Sequence, residues 1–123
     1  MIIVWLLVSG GVGTLIRYWM SLCGSLLPEH AYIVTLGINV LGSFLFGVVY
    51  GLCDRFALMA SYRAVLLPGF LGGFTTFSAY AGEVVVLILM QRYMAAALYV
   101  VLSNVVSFVA LYGGLVGIRL FVK

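Results

Sequence analysis

The sequence predicts an all-α integral membrane protein with four transmembrane helices. Of its 123 residues, 66% are hydrophobic and only 7% are charged, namely six Lys plus Arg and three Asp plus Glu. A soluble domain carries about 25% charged residues, because its surface must be solvated. A chain this short also cannot bury two thirds of its residues. The composition therefore excludes a soluble catalytic domain, a nucleic-acid groove and a disordered tail, and we expect no enzyme activity.

Four apolar stretches are long enough to cross the bilayer. A helix needs about 20 mainly apolar residues to span about 30 Å of hydrocarbon. We expect one membrane domain, 1–123, with spans at about 2–22, 33–52, 64–90 and 93–118. The first stretch lacks a preceding basic segment and is longer than the apolar part of a signal peptide, so we expect it to be a retained span.

The basic residues outside the spans indicate the orientation. Four spans place both termini on one side of the membrane. With the termini inside, the cytoplasmic side carries Arg55, Arg63, Arg119 and Lys123, whereas the far side carries only Arg92. This excess favours cytoplasmic termini, although so few charges leave the inverted insertion of some copies open. A multi-pass protein of a bacterial inner membrane is consistent with these features.

Small and polar residues recur every four positions in three of the spans, so each stripe lies along one helix face. The stripes consist of Ser9, Gly13, Arg17 and Ser21; of Thr35, Asn39, Ser43, Gly47 and Gly51; and of Tyr99, Ser103 and Ser107. Such stripes commonly serve only to pack membrane helices, but polar side chains within a membrane also mark ion pathways. Asn39 stands out, because its own helix cannot satisfy both amide donors. An interhelical hydrogen bond and a bound ligand are both open.

The third span is expected to be broken near Gly72-Gly73. Pro68 and three glycines lie within six residues, and a mid-helix Pro costs about 3 kcal/mol and each Gly about 1 kcal/mol. Non-helical backbone at this depth must be buried in protein or line a cavity. A break exposes carbonyl oxygens, which bind cations, and a helix N-terminus, which favours anions.

Donors and aromatic rings follow this break. Thr75, Thr76 and Ser78 carry hydroxyl groups, and Phe77 and Tyr80 share one helix face. Hydroxyl donors beside the positive edges of aromatic rings suit a small, hard anion. Aromatic pairs at this spacing are, however, more commonly packing contacts.

These segments resemble those of a known family. Residues 69–78, GFLGGFTTFS, closely resemble the central signature of the Fluc (CrcB) fluoride channels. Residues 10–18, GGVGTLIRY, resemble the family's first helix, and residues 35–43, TLGINVLGS, resemble its second. Glu83 lies where the family places a glutamate after the Phe motif. The resemblance implies a fluoride-selective channel for passive fluoride export, built as an antiparallel dimer with a structural Na⁺ at the dimer interface.

The resemblance also implies roles for individual residues. Asn39 would hydrogen-bond fluoride, and Phe77 would present a ring edge to it. Gly72 and Thr75 would give backbone carbonyls to the Na⁺, and Arg17 would lie near an aqueous vestibule or act as an interfacial anchor. The fluoride pathway would further include Tyr80, Thr76, Ser78, Tyr99, Ser103 and Ser107.

Two departures from the family pattern leave the assembly open. Tyr80 stands where a second Phe is usual, and Ala79 stands where a Thr is common. With the basic excess on one side, these departures allow one subunit of a heterodimeric channel as an alternative to the homodimer. A small proton-coupled multidrug antiporter is a further alternative, but Glu83 is the only acidic residue within a span. The last alternative is a non-conducting assembly subunit, in which the polar stripes only pack helices.

Overall fold

The computed structural model describes residues 1–26 and 30–122. All secondary-structure elements in this part of the chain are helices. The helices are α1 (Ile2–Leu22), a 3₁₀ helix (Cys23–Leu26), α2 (Ala31–Arg55), the short α3 (Ala57–Ser61), a π-helical segment (Val65–Leu71), α4 (Gly72–Phe74), α5 (Phe77–Leu89) and α6 (Tyr93–Phe121). Four helical stretches, Ile2–Leu22, Ala31–Arg55, Met59–Leu89 and Tyr93–Phe121, are long and apolar enough to cross a membrane. This confirms the predicted fold class.

The α2 and α6 helices make the most extensive contact between any two helices in the described part of the chain. Glycines allow this close approach, because a glycine has no side chain to separate the backbones of the two helices. Gly114 of α6 lies against the carbonyl oxygen of Phe44, and Gly47 of α2 lies against that of Leu111. The C-terminal half of the α2 stripe is therefore a packing surface, as small residues commonly are in membrane helices.

The first half of the third span packs on α1 and its second half packs on α6 and α2. Gly13 of α1 faces the carbonyl oxygen of Phe70, and Ser9 donates a hydrogen bond of 3.1 Å to the carbonyl oxygen of Val65. The π-helical segment contains Pro68, which cannot donate a helical hydrogen bond. The third span is thus anchored on two different neighbours, one on each side of its break.

Polar side chains mark the two ends of the bundle. Asp54 Oδ1 lies 3.6 Å from Arg63 Nη1, and Asp54 Oδ2 lies 3.3 Å from Arg119 Nη2. The end of α2, the start of the third span and the end of α6 therefore meet. At the opposite end, α5 and α6 are joined by a tight turn in which Gln91 has a φ of 59°. Arg63 and Arg119, which are predicted to share one side of the membrane, lie at the same end of the bundle, whereas Lys123 lies outside the described residues.

Candidate functional site

The break in the third span lies at Thr75 and Thr76, just after the predicted Gly72-Gly73. Both glycines are helical, and the two threonines have extended backbones with ψ angles of 157° and 117°. Asn39 explains the shift, because its side chain reaches across from α2. Its Oδ1 accepts from the Thr76 N–H at 2.9 Å, and its Nδ2 donates to the Thr76 carbonyl at 3.0 Å. An amide therefore replaces the helical partners of Thr76.

The same arrangement redirects the helical donors of two carbonyl groups. In a continuous α-helix the Gly72 carbonyl would accept from the Thr76 N–H, which here donates to Asn39. The Thr75 carbonyl would accept from the Ala79 N–H, which here donates to Thr76 Oγ1 at 3.2 Å and caps α5. Both oxygens have lost their usual donors, so they fit the carbonyl ligands predicted for a cation.

Two carbonyl groups lie between these, and that of Gly73 accepts hydrogen bonds from α1. Arg17 Nε donates to the Gly73 oxygen at 3.1 Å, and Thr14 Oγ1 lies 3.4 Å from the same oxygen. Arg17 therefore contacts the end of α4 directly. Its predicted position near an aqueous vestibule stays a prediction.

A cavity of about 270 Å³ opens beside the break, between α2, α5 and α6. Its wall carries neutral amides, hydroxyl groups and aromatic rings, with no charged side chain among the lining residues. These residues are Asn39, Gly42, Ser43, Phe46, Thr75, Thr76, Phe77, Tyr80, Ser103, Asn104, Ser107, Phe108 and Leu111. Neutral donors can replace part of the hydration shell of an anion without trapping it as a fixed cation would.

One hydroxyl group in this wall is buried and has no partner. Ser103 is only 8% exposed, and its Oγ is the only buried side-chain oxygen or nitrogen without a hydrogen bond among the described residues. A buried polar group without a partner costs about 1–3 kcal/mol, so its presence needs a reason. A ligand in the cavity would supply the missing partner.

The aromatic residues form a row from the break towards the far end of α5. The rings of Phe77 and Tyr80 have centroids 5.5 Å apart, and those of Tyr80 and Tyr99 are edge-on at 5.2 Å. Tyr99 in turn lies 5.2 Å from Tyr32. Phe77 is 77% exposed in the single chain, so one side of its ring meets no other group of this chain.

Glu83 accepts hydrogen bonds from two hydroxyl groups on two other helices. Thr35 Oγ1 donates to Glu83 Oε1 at 2.7 Å, and the Tyr99 hydroxyl donates to Oε2 at 2.6 Å. Glu83 also lines a second, larger cavity of about 830 Å³, together with Tyr32 and Arg92. Tyr99 therefore contacts a carboxylate and is not among the residues that line the first cavity.

The structure brings most of the predicted fluoride-pathway residues together. Those that line the first cavity are Asn39, Thr76, Phe77, Tyr80, Ser103 and Ser107. Ser78 is exposed, with its Oγ 3.4 Å from Thr76 Oγ1, and it does not line the cavity. The roles assigned to these residues remain predictions.

The chain matches a known protein family over most of its length. A family model described as "CrcB-like protein, Camphor Resistance (CrcB)" matches residues 4–115. The chain belongs to the CrcB family. The predicted resemblance is confirmed, and with its four long apolar helices this CrcB chain is a multi-pass membrane protein.

Curated relatives of the CrcB chain cover most of its length. It is 40% identical over 109 residues to the "Fluoride-specific ion channel FluC" of Solidesulfovibrio magneticus, covering 87% of each chain. A protein of the same name from Parabacteroides distasonis is 36% identical over 121 residues, covering 94% of this chain and 92% of that one. The "Fluoride-specific ion channel FluC 3" of Bifidobacterium longum is 41% identical over 102 residues, covering 82% and 84%.

Sequence reasoning did not assign two polar residues that the structure places at the site of the CrcB chain. Asn104 lines the first cavity, and Glu83 joins Thr35 to Tyr99. Asn104 lies one position beyond Ser103 and so falls off the four-residue stripe. The available signal was its amide alone, because an amide within a span needs partners.

Proposed function

We propose that this chain forms a fluoride-selective channel that allows passive export of fluoride across the cytoplasmic membrane. The observation that supports this most directly is the uncharged, donor-lined cavity at the broken helix, in a chain whose relatives are named fluoride-specific ion channels. A channel of this kind forms no covalent intermediate, and we expect no enzyme activity.

The cavity chemistry suits fluoride better than a larger halide. Fluoride is small and strongly hydrated, so losing water must be offset by strong hydrogen bonds. The Ser103 hydroxyl, the Asn39 amide and the Phe77 ring edge would provide such contacts. Conduction needs these contacts to be favourable for binding yet weak enough for release. A negative membrane potential then drives the anion outwards with about 2.3 kcal/mol per charge per 100 mV.

The proposed assembly is an antiparallel homodimer within the lipid bilayer. The exposed Phe77 ring supports it, because a second subunit would enclose a residue of the pathway that one chain leaves open. A heterodimer with a second family member remains the alternative, since Tyr80 departs from the usual Phe.

A structural Na⁺ at the dimer interface fits the same proposal. The carbonyl oxygens of Gly72 and Thr75 would hold it, and oxygen ligands suit a hard cation. The described residues contain no group of three or more His, Cys, Asp or Glu side chains that could hold another kind of metal ion. Bound there, the cation would supply positive charge and link the broken segments of the two subunits.

Fluoride efflux from liposomes tests the function. Purified protein is reconstituted with potassium fluoride inside, valinomycin carries the counter-current, and a fluoride electrode follows release, with chloride as the comparison anion. We expect rapid fluoride efflux and little chloride efflux. Because no proton gradient is present, fluoride release also separates a channel from a proton-coupled antiporter. Folded protein without efflux, alone or co-expressed with a second family member, would contradict the proposal.

Ser103→Ala gives the sharpest variant for this assay. It removes a hydroxyl group that has no partner in the chain, so the fold loses no described hydrogen bond. A hydrogen bond to a charged group is worth about 1.5–3 kcal/mol, so we expect fluoride efflux to fall by about tenfold or more. Ser61→Ala is the matched control, because Ser61 is exposed and bonds only its own helix, at Ala57. Equal efflux from both variants would remove Ser103 from the pathway.

A further inference from the structure

Asn104 and Tyr80 form a hydrogen-bonded pair in the cavity wall. The Asn104 Nδ2 lies 2.8 Å from the Val100 carbonyl oxygen and 3.3 Å from the Tyr80 hydroxyl oxygen. A carbonyl oxygen can only accept, so the atom that faces Val100 must be the amide nitrogen. The same nitrogen faces the phenol, and Asn104 therefore donates to Tyr80.

This direction determines where the Tyr80 proton can go. A phenol has one O–H, and its oxygen here accepts the amide proton of Asn104, so the O–H is directed away from Asn104. The ring itself is held between Phe77, at 5.5 Å, and Tyr99, at 5.2 Å. The O–H can still rotate about the C–O bond, and the hydroxyl belongs to a residue that lines the cavity.

We infer that the Tyr80 hydroxyl donates its proton to the anion in the cavity, and that Asn104 is the positioning residue that aims it. This rests on the proposed fluoride conduction. Tyr80 is then no passive replacement for a phenyl ring, because it adds a donor to the cavity that Asn39 also lines. A phenol is a stronger hydrogen-bond donor than an aliphatic alcohol. Because fluoride is smaller than chloride, it allows a shorter contact, and the hydrogen bond from the phenol would stabilise fluoride more than chloride. The pair would therefore raise the preference for fluoride.

A double-mutant cycle in the liposome assay tests the pair. The variants are Tyr80→Phe, Asn104→Leu and their combination, measured for fluoride efflux and for the ratio of fluoride to chloride efflux. Tyr80→Phe keeps the ring that contacts Phe77 and Tyr99. We expect it to lower fluoride efflux about tenfold and to lower the ratio, because a hydrogen bond to a charged ligand is lost. Asn104→Leu should lower fluoride efflux and the ratio of fluoride to chloride efflux by a smaller factor. In the Tyr80→Phe protein it should cause no further decrease in either.

Non-additivity separates positioning from simple packing, since an Asn104 that only supports the fold would lower efflux in both backgrounds. Efflux from Tyr80→Phe equal to that of the unaltered protein, or independent effects of the two changes, would overturn the inference. If Asn104→Leu does not fold, Asn104→Ala takes its place in the cycle. Absence of fluoride efflux from the unaltered protein would instead count against the proposed function, so the two failures are distinguishable.

Discussion

Gly114 of α6 lies against the backbone carbonyl of Phe44 on α2, where no side chain would fit. A Cβ built on Gly114 would overlap the Phe44 oxygen, and a Cβ on Gly47 would overlap the Leu111 oxygen in the reciprocal contact. Two helices thus meet through their backbones at two points. The contact sets the distance between the α2 and α6 walls of the first cavity.

Gly114→Ala should therefore destabilise the protein. Over-packing of a close contact costs about 1–3 kcal/mol, because the two helices must separate. Thermal unfolding in detergent measures the effect. Gly113→Ala is the matched control, since a Cβ there meets nothing within 4 Å, and the higher helix propensity of Ala predicts a gain of up to about 1 kcal/mol. Equal stability of the two variants would show that α2 and α6 are not in backbone contact.

Asn39→Asp tests how the break is held. The aspartate can still accept from the Thr76 N–H, but its other oxygen faces the Thr76 carbonyl, where the amide donates in the native chain. We expect the free energy of unfolding to fall by about 1–3 kcal/mol. Protonation would restore a donor, so the loss should be larger at high pH and smaller at low pH. A loss that does not depend on pH would contradict this account, and unaltered protein provides the reference at each pH.

Tyr99→Phe should destabilise the bundle through Glu83. The change removes a hydroxyl that donates to a carboxylate, a hydrogen bond worth about 1.5–3 kcal/mol. Tyr99 is only 2% exposed, so water cannot easily replace the hydroxyl. Tyr112→Phe on the same helix is the control, because Tyr112 is 68% exposed and we expect no more than a few tenths of a kcal/mol there.

The same interaction predicts a coupling that unfolding measurements can detect. In a Glu83→Leu background, Tyr99→Phe should cost much less than in the native chain, because its acceptor is absent. An undiminished cost would show that the Tyr99 hydroxyl does not act through Glu83.

Sodium should stabilise the dimer if the carbonyls of Gly72 and Thr75 bind it. A ligand at ten times its Kd adds about 1.4 kcal/mol of stability to the state that binds it. We expect the thermal midpoint of unfolding to be higher in NaCl than in KCl of equal ionic strength. Asn39→Asp supplies the matched comparison, because loosening Thr76 should reduce the difference between the salts. Identical midpoints for the native chain in both salts would count against the site.

The spans could be predicted from composition because lipid imposes the same requirement on every crossing segment. Ile2–Leu22 agrees with the predicted 2–22, whereas Ala31–Arg55 extends beyond the predicted 33–52 at both ends. Apolar content reports only the hydrocarbon region, and a helix continues past it. The third span was predicted to break because Pro68 and the glycines disfavour a helix, but its place is decided by Asn39 on another helix.

Side-chain pairs between helices could not be predicted from spacing. Glu83, Thr35 and Tyr99 come from three helices, and their mutual contacts depend on how those helices rotate about their axes. Periodicity identifies a face but does not identify what the face contacts. Gly47 and Asn39 share one stripe, yet one packs against backbone and the other lines a cavity.

The hydrogen bonds between Asn39 and Thr76 also have a consequence for biosynthesis. Asn39 precedes Thr76 by 37 positions, so the ribosome makes the amide before it makes the segment that the amide holds. The second span can therefore already be in the bilayer when the third span enters. The irregular backbone at Thr76 can form when this segment meets the Asn39 side chain, so no completed helix has to be broken afterwards.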